Sequence, residues 1–317
     1  MSNNKHQNFI LTFLPFSLIL QYCNKKIFNF QLKFGIIFFM SNNSKFTHLH
    51  SHSHWSLLNA LPKIPEMIKA AKDDGNTAIA LTDDGVMYGA VEFYNTCKKN
   101  DIKPIIGVDF YVALRTRHDK QPRIDNKRYR LVLLAKNTQG YRNLMKITSL
   151  AFIEGYYYKP RIDRELIEKY SDGLVAIIPQ FSGELSGHLS LNNTEKASEV
   201  YDFHHKIFGD DLYLEVLHHP EIEGQMELKD KIISFAKEKN AKLVATSDFY
   251  YENPEDKKAR DILTEIASMG RSFGDRDDDF SMKSEKEMIE FFKDVPEAIS
   301  NTKEIEEKCN LEIELGV

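Results

Sequence analysis

From residue 45 onward, short β-branched or apolar runs alternate with stretches of helical periodicity, and this alternation limits the possible folds more than any other feature. Runs at 46–52, 77–82, 104–112, 129–135, 174–178, 212–217 and 242–246 read as strands. Helical patterns at 64–73, 88–99, 140–153, 195–207, 224–239 and 254–268 fall between or after them, with Gly75, Gly155, Gly173 and Gly209 as punctuation. Parallel neighbours need a crossover, so the pattern predicts a parallel sheet in an α/β fold, either an open doubly wound sheet or a closed (β/α) barrel. No GxGxxG follows the first strand and no GxxxxGK[ST] occurs, which removes the usual phosphate-cradling marks of dinucleotide and P-loop folds. A barrel places its chemistry at the carboxyl ends of its strands. The polar residues at those ends are His50, His52, Asp83, Asp84, Asp109, Gln180, His218, His219 and Asp248.

Composition narrows the class further. Of 317 residues 42% are hydrophobic and 28% charged, as in a packed globule. The net charge of -5 argues against a surface that is wholly a nucleic-acid footprint, while leaving room for a local basic patch. Cys23, Cys97 and Cys309 lie far apart and form no CxxC pair, which excludes a disulfide scaffold or zinc ribbon and points to a reducing, cytoplasmic compartment. Residues 9–20 form an apolar run containing Pro15, too short to span a bilayer as a helix and without a small-x-small cleavage site. Met40-Ser-Asn-Asn repeats the first four residues, so residues 1–39 are expected to be an upstream or mis-started leader outside the fold.

His48, His50, His52 and His54 recur at period two and would share one face of a strand. Two imidazoles two residues apart at a strand end can bind one metal ion, with carboxylates from other strands completing the shell. The basic stretch 115–130 reads as a solvated loop, able to contact phosphates only if placed beside DNA. His204 and His205 read as filler within a helix, Trp55 as a packing residue, and the acidic run 275–279 as a solvated turn.

His48-Leu-His-Ser-His52 with Trp55-Ser-Leu-Leu58, then Leu81-Thr-Asp-Asp-Gly85 and Tyr88-Gly-Ala-Val-Glu-Phe-Tyr94, closely resemble the polymerase and histidinol phosphatase (PHP) domain. The version it resembles is the one at the amino terminus of bacterial DNA polymerase III alpha subunits. Ile102-Lys-Pro-Ile-Ile-Gly-Val-Asp109, Lys159-Pro-Arg-Ile-Asp163, Leu243-Val-Ala-Thr-Ser-Asp248, Met282-Lys-Ser-Glu-Lys-Glu-Met288 and Pro296-Glu-Ala298 extend the resemblance to about residue 315. It implies a distorted (β/α)7 TIM-like PHP barrel at 40–270, followed at 271–317 by a linker and short α/β segment leading into a polymerase body that this fragment lacks.

The resemblance also implies a multi-metal cluster that would activate water for phosphoester hydrolysis. His50, His52 and Asp248 match its ligands; Asp84 stands for a histidine and Asp109 for a bridging glutamate. Asn59 replaces an aspartate, Arg130 a histidine, Gln180 a cysteine and Tyr250 a histidine. A fixed cation at Arg130 opposes a multi-metal site, so the expectation is a degraded centre holding at most one weakly bound divalent ion, zinc, manganese or magnesium. The implied role is a scaffold within a replicative polymerase, partnered by the rest of the alpha subunit, a proofreading exonuclease and the sliding clamp, with DNA contacted indirectly and no membrane. A free-standing PHP-type metal-dependent phosphoesterase or 3′-5′ exonuclease is the competing enzyme reading, and it would require the intact ligand set. A non-catalytic interaction module would need an exposed apolar patch, expected within 280–315.

Overall fold

The computed structural model describes residues 45–269 and 278–314, so the expectations for the first 39 residues and most of the 275–279 run lie outside the described residues. Seven strands are β1 (Ala78–Leu81), β2 (Lys103–Ala113), β3 (Arg128–Ala135), β4 (Arg161–Ile162), β5 (Leu174–Ile178), β6 (Leu212–Val216) and β7 (Lys242–Ala245). They form one curled sheet in the order β1-β2-β3-β5-β6-β7, with the short β4 paired to β2. The segment 46–52 joins the two ends of that order, because His48 bridges to Ile79 and Ser51 to Phe249, just beyond β7. Ala80 N–H donates to His48 O at 2.8 Å and His52 N–H to Phe249 O at 3.2 Å, closing a distorted TIM-like barrel. The expected first strand is therefore a line of isolated bridges; side-chain bonds such as Ser51 N–H to Thr82 Oγ1 at 2.9 Å replace part of its ladder.

The all-parallel expectation is corrected at one strand. β3 runs antiparallel to both β2 and β5, while the remaining pairings are parallel. The reason lies in the connection: residues 114–127 contain no helix, and an antiparallel neighbour can be reached by a loop without a crossover. This reversal carries the start of β3, and with it Arg130, to the end of the barrel where the other strands finish.

Period-two alternation builds two apolar layers. Ala78 and Ala80 of β1, Val132 and Leu134 of β3, Val175 and Ile177 of β5, Tyr213 and Val244 pack inside the barrel. Their alternates, among them Ile79, Leu81, Leu133 and Ala176, pack outward against the helices. Gly107 belongs to the inner face of β2, where a Cβ would lie 2.7 Å from the Leu133 carbonyl oxygen.

The helices are α1 (Ile64–Asp73), α2 (Ala90–Lys99), α3 (Thr138–Ile153), α4 (Arg164–Lys169), α5 (Glu184–Ser190), α6 (Thr194–Phe208), α7 (Gln225–Lys239), α8 (Lys257–Ala267), α9 (Glu285–Phe291) and α10 (Pro296–Lys308). α10 seals the amino-terminal end of the barrel. Its Ile305, with Cys309 just beyond, joins the inner core. Asn301 Nδ2 donates to Leu243 O at 2.7 Å, and Asn310 N–H to Lys136 O at 2.7 Å.

The apolar residues of 280–314 are buried, as are Met288, Phe292, Ala298 and Ile305, or partly buried against the core, so that segment does not supply the exposed patch the interaction-module reading needed. The exposed apolar stripe lies instead on α8, at Ile262 and Ile266, with Met269 beyond the helix end. The basic stretch 115–127 is the exposed loop its composition implies, but it is anchored through the buried Arg117 and Asp125. The buried Arg161 guanidinium donates to four backbone carbonyls, those of Gly155, Arg117, Asp119 and Asp125. Arg117 in turn pairs with Asp163 at 3.0 Å and Glu154 at 2.7 Å.

Candidate functional site

The upper end of the barrel collects polar side chains because the inward positions of several strands turn from apolar to charged there. On β2 these are Gly107, Asp109 and Tyr111; on β6, Tyr213 and then Glu215. On β3, read toward its start, Leu134 and Val132 give way to Arg130. The register sets Arg130 opposite Tyr111, two positions from Asp109 on the same face.

Arg130 is the centre of the arrangement. Its Nε donates to Asp109 Oδ2 at 2.7 Å, and its Nη2 contacts both Asp109 and Asp84. The guanidinium also lies 4.2 Å from the centroid of the Tyr111 ring. Burial alone would push the Asp84 carboxyl up, but the charges of Arg130 and His52 hold it well below the usual carboxylate range. Burial would likewise lower Arg130, and Asp109 and Asp84 raise it well above the ordinary value.

The two histidines face the same cavity. His50 Nδ1 bonds to Glu215 Oε1 at 2.7 Å, and its Nε2 lies 3.3 Å from Asp109 Oδ2 and 3.4 Å from Asp248 Oδ1. Desolvation lowers its pKa, while Asp248, Glu215 and Asp109 together lift it well above the ordinary value. His52 Nε2 bonds to Asp248 Oδ1 at 3.1 Å. Tyr250 stacks on His52 with centroids 4.3 Å apart and planes 9° from parallel.

Glu215 was not anticipated. It is fully buried and also accepts from Thr246 Oγ1 at 2.6 Å and from the Gln180 backbone N–H at 2.9 Å. A lone acid in the apolar run Leu212-Tyr-Leu-Glu-Val216, in phase with inward Tyr213, was the available signal.

The other sequence candidates fall on both sides of the cluster. Asn59 Nδ2 donates to Asp84 Oδ2 at 2.7 Å, and the Arg260 guanidinium sits 4.1 Å from the Tyr250 centroid. Gln180 turns toward backbone, accepting from Leu217 N–H at 2.8 Å and donating to Gln225 O at 3.2 Å. Asp83 faces away from the cavity and organises the turn after His52, accepting from Ser53 N–H at 2.8 Å and Ser56 Oγ at 2.7 Å. His219 pairs with Glu221 at 2.7 Å, and His218 stacks on Phe291 at 4.3 Å. His204 is buried on α6 and bonds to Val200 O at 2.8 Å.

Among the described residues two sets of donors could hold a cation: His50, His52 and Asp248, and His52, Asp84 and Asp109, each with ligand atoms within 4.8 Å of one another. The second set does not fit a metal ion, because Arg130 already contacts both of its carboxylates and brings a fixed positive charge. The first set has the donor chemistry for one ion, with the Glu215 contact orienting His50 from behind.

Comparison with known proteins bears on the same residues. A family model described as the PHP domain matches residues 48–219. This chain belongs to the PHP domain family. The DNA polymerase III subunit alpha of Campylobacter jejuni is 40% identical over 289 residues, covering 86% of this chain and 24% of the relative. That of Borreliella burgdorferi is 40% identical over 277 residues with the same coverages, and that of Aquifex aeolicus 42% identical over 224 residues, covering 69% and 19%. This PHP chain thus spans about a quarter of the length of the curated relatives it matches. Among solved structures, a Bifidobacterium adolescentis protein described as a metal-dependent phosphoesterase aligns with a TM-score of 0.44 and 11% identity, over 77% of this chain and 96% of its own. An amidohydrolase from Chromobacterium violaceum aligns with a TM-score of 0.39 and 14% identity, over 64% and 87%.

Proposed function

We propose that this chain is the PHP region of a DNA polymerase III alpha subunit. In this reading the barrel is a scaffold whose multi-metal centre has given way to an ion-pair network. The observation that carries the reading is Arg130, paired at once with Asp84 and Asp109. A divalent ion placed on those carboxylates would meet a guanidinium at contact range, and the same oxygens cannot serve both. Without a cluster there is neither an activated water nor a clamp for a phosphoester, so hydrolysis is not expected.

The template-directed DNA synthesis of the whole subunit, in the cytoplasm, is proposed from its relatives; no residue of this chain is assigned to it. The proposed partners are the remainder of the alpha subunit, a proofreading exonuclease and the sliding clamp, with DNA contacted indirectly. The barrel, expected from the sequence at 40–270, is proposed to take in α9 and α10 as well, because Ile305 and Cys309 belong to its inner core. No helix among the described residues is long and apolar enough to cross a membrane.

The test is a titration of the chain with Mn²⁺ and Zn²⁺, with a nitrophenyl phosphate ester and a 3′-recessed DNA as substrates. The expected result is at most one ion per chain and no turnover. Two or more ions, with hydrolysis abolished in His50→Ala, would restore the phosphoesterase reading.

A further inference from the structure

α8 is mounted with its polar side toward the barrel and its apolar side toward solvent, the reverse of an ordinary surface helix. Arg260 Nε donates to Asn59 O at 3.2 Å, its guanidinium lies over the Tyr250 ring, and Lys257 pairs with Asp278 at 3.0 Å. No residue of α8 is buried, and none belongs to or packs against the apolar clusters of the barrel. Ile262 is 54% and Ile266 60% exposed, with Ala259 exposed one turn earlier and Met269 93% exposed beyond the helix end. The spacing of 259, 262, 266 and 269 puts all four on one stripe. A helix of 11 residues is marginal in water by itself and draws its stability from a covered apolar face, so the outward stripe calls for a partner.

The stripe carries its own complement. Lys258 and Glu265 border it on the same flank, two turns apart, and among the described residues neither has an ion-pair partner. A two-fold axis beside Ile262, perpendicular to the helix, would bring a second α8 alongside in the opposite direction. Each position then faces the one equally far on the other side of residue 262, and each flank faces the same flank of the copy. Ile262 meets its own counterpart, Ala259 meets Ile266, and Lys258 meets Glu265. All three pairings hold to within about 1 Å along the axis, at a rise of about 1.5 Å per residue. Apolar contact on the axis is thus bordered by two pairs of opposite charge, and the small Ala259 side chain leaves room for Ile266.

We propose that α8 is a self-docking surface, through which two copies of this chain associate with antiparallel α8 helices, Ile262 on the two-fold axis and Lys258 paired with Glu265. A single helix pair is a small contact, so the dimer is weak and reversible.

Sedimentation equilibrium of the full chain between about 1 µM and 1 mM, the range open to so small a contact, tests this. The mass is expected to rise with concentration toward twice that of the monomer. Ile262→Lys sets two ammonium groups on the axis and should hold the chain monomeric throughout, with thermal unfolding unchanged because the site is exposed. Lys258→Glu and Glu265→Lys each set like charges in both pairs and should weaken association at least about tenfold. Equimolar mixing of those two variants should restore it, since every pair then joins a glutamate to a lysine. A chain monomeric at every concentration would overturn the proposal. A dimer that survives Ile262→Lys would lie elsewhere on the surface and refute the site, and single-variant losses without recovery on mixing would refute the antiparallel arrangement. A monomer that instead binds the remainder of the Campylobacter jejuni alpha subunit through Ile262 would assign the stripe to a polymerase contact and overturn self-docking. Should Ile262→Lys disturb folding, the mixing experiment decides, because it exchanges only exposed charges.

Discussion

Arg130 is, among the described residues, the one arginine or lysine paired with both Asp84 and Asp109, and its removal would leave two buried carboxylates facing each other. Arg130→Met should therefore cost about 3–5 kcal/mol in urea unfolding, the range for stripping one partner from a buried ion pair. A second residue-scale prediction concerns His204, whose pKa burial lowers to about 4 from 6.5. The folded ring stays neutral while the unfolded ring takes up a proton below about 6.5, so the unfolded state binds more protons in this window. Its contribution is complete above pH 6.5 and is lost as pH falls toward 4, on the order of 3 kcal/mol. Unfolding midpoints at pH 7 and pH 4.5 should differ less in His204→Phe than in the parent chain. At this scale the sequence was most informative where residue type and strand end coincided, as for His50, His52 and Asp248. It was least so for Glu215, whose significance comes from a neighbour 165 positions away.

At the scale of elements, the Lys159-Pro-Arg-Ile-Asp163 stretch has a local reason. Arg161 satisfies four carbonyls, three of them in buried bonds, of the connection into β3 and of the turn after α3, and Asp163 caps α4 by accepting from Leu166 N–H at 3.2 Å while pairing with Arg117. Arg161→Met would orphan those carbonyls; the expected loss is at least about 2 kcal/mol. Limited proteolysis should then cut within 115–127 before the rest of the barrel opens, and simultaneous cleavage throughout would contradict the assignment. Charge composition gave the exposed loop but not its anchoring, because the pairing residues Glu154, Arg161 and Asp163 lie beyond the next strand and helix. The orientation of β3 was hidden for a related reason. Strand runs at 104–112 and 129–135 were legible, but a sheet direction follows from the connection, and the missing helix at 114–127 was the clue.

For the whole molecule, the barrel is closed at one end by polar chemistry and at the other by α10. Ile305 is fully buried in the inner core, so Ile305→Ala should cost about 2–5 kcal/mol through the cavity it leaves. If residues from about 296 onward were an appended tail, that substitution would be silent in thermal unfolding. Fold class was readable from strand–helix alternation, since the number and spacing of elements survive small errors in their limits. The sealing helix was not, because an amphipathic pattern says that a face is covered without saying by what.

The closure of the ring has a consequence for how the chain is made. The segment 46–52 leaves the ribosome first among the described residues, yet it must seat between β1 and the stretch after β7, and Thr47 N–H finds its acceptor, Thr302 Oγ1, 255 positions later. Until then the nascent chain carries an open sheet with two unpaired edges and an unsealed interior. Such distant pairing makes the last step slow and leaves those edges exposed to other chains meanwhile. Ribosome-bound chains stopped before residue 302 should therefore depend most on chaperones, and extension by a few dozen residues should end that dependence.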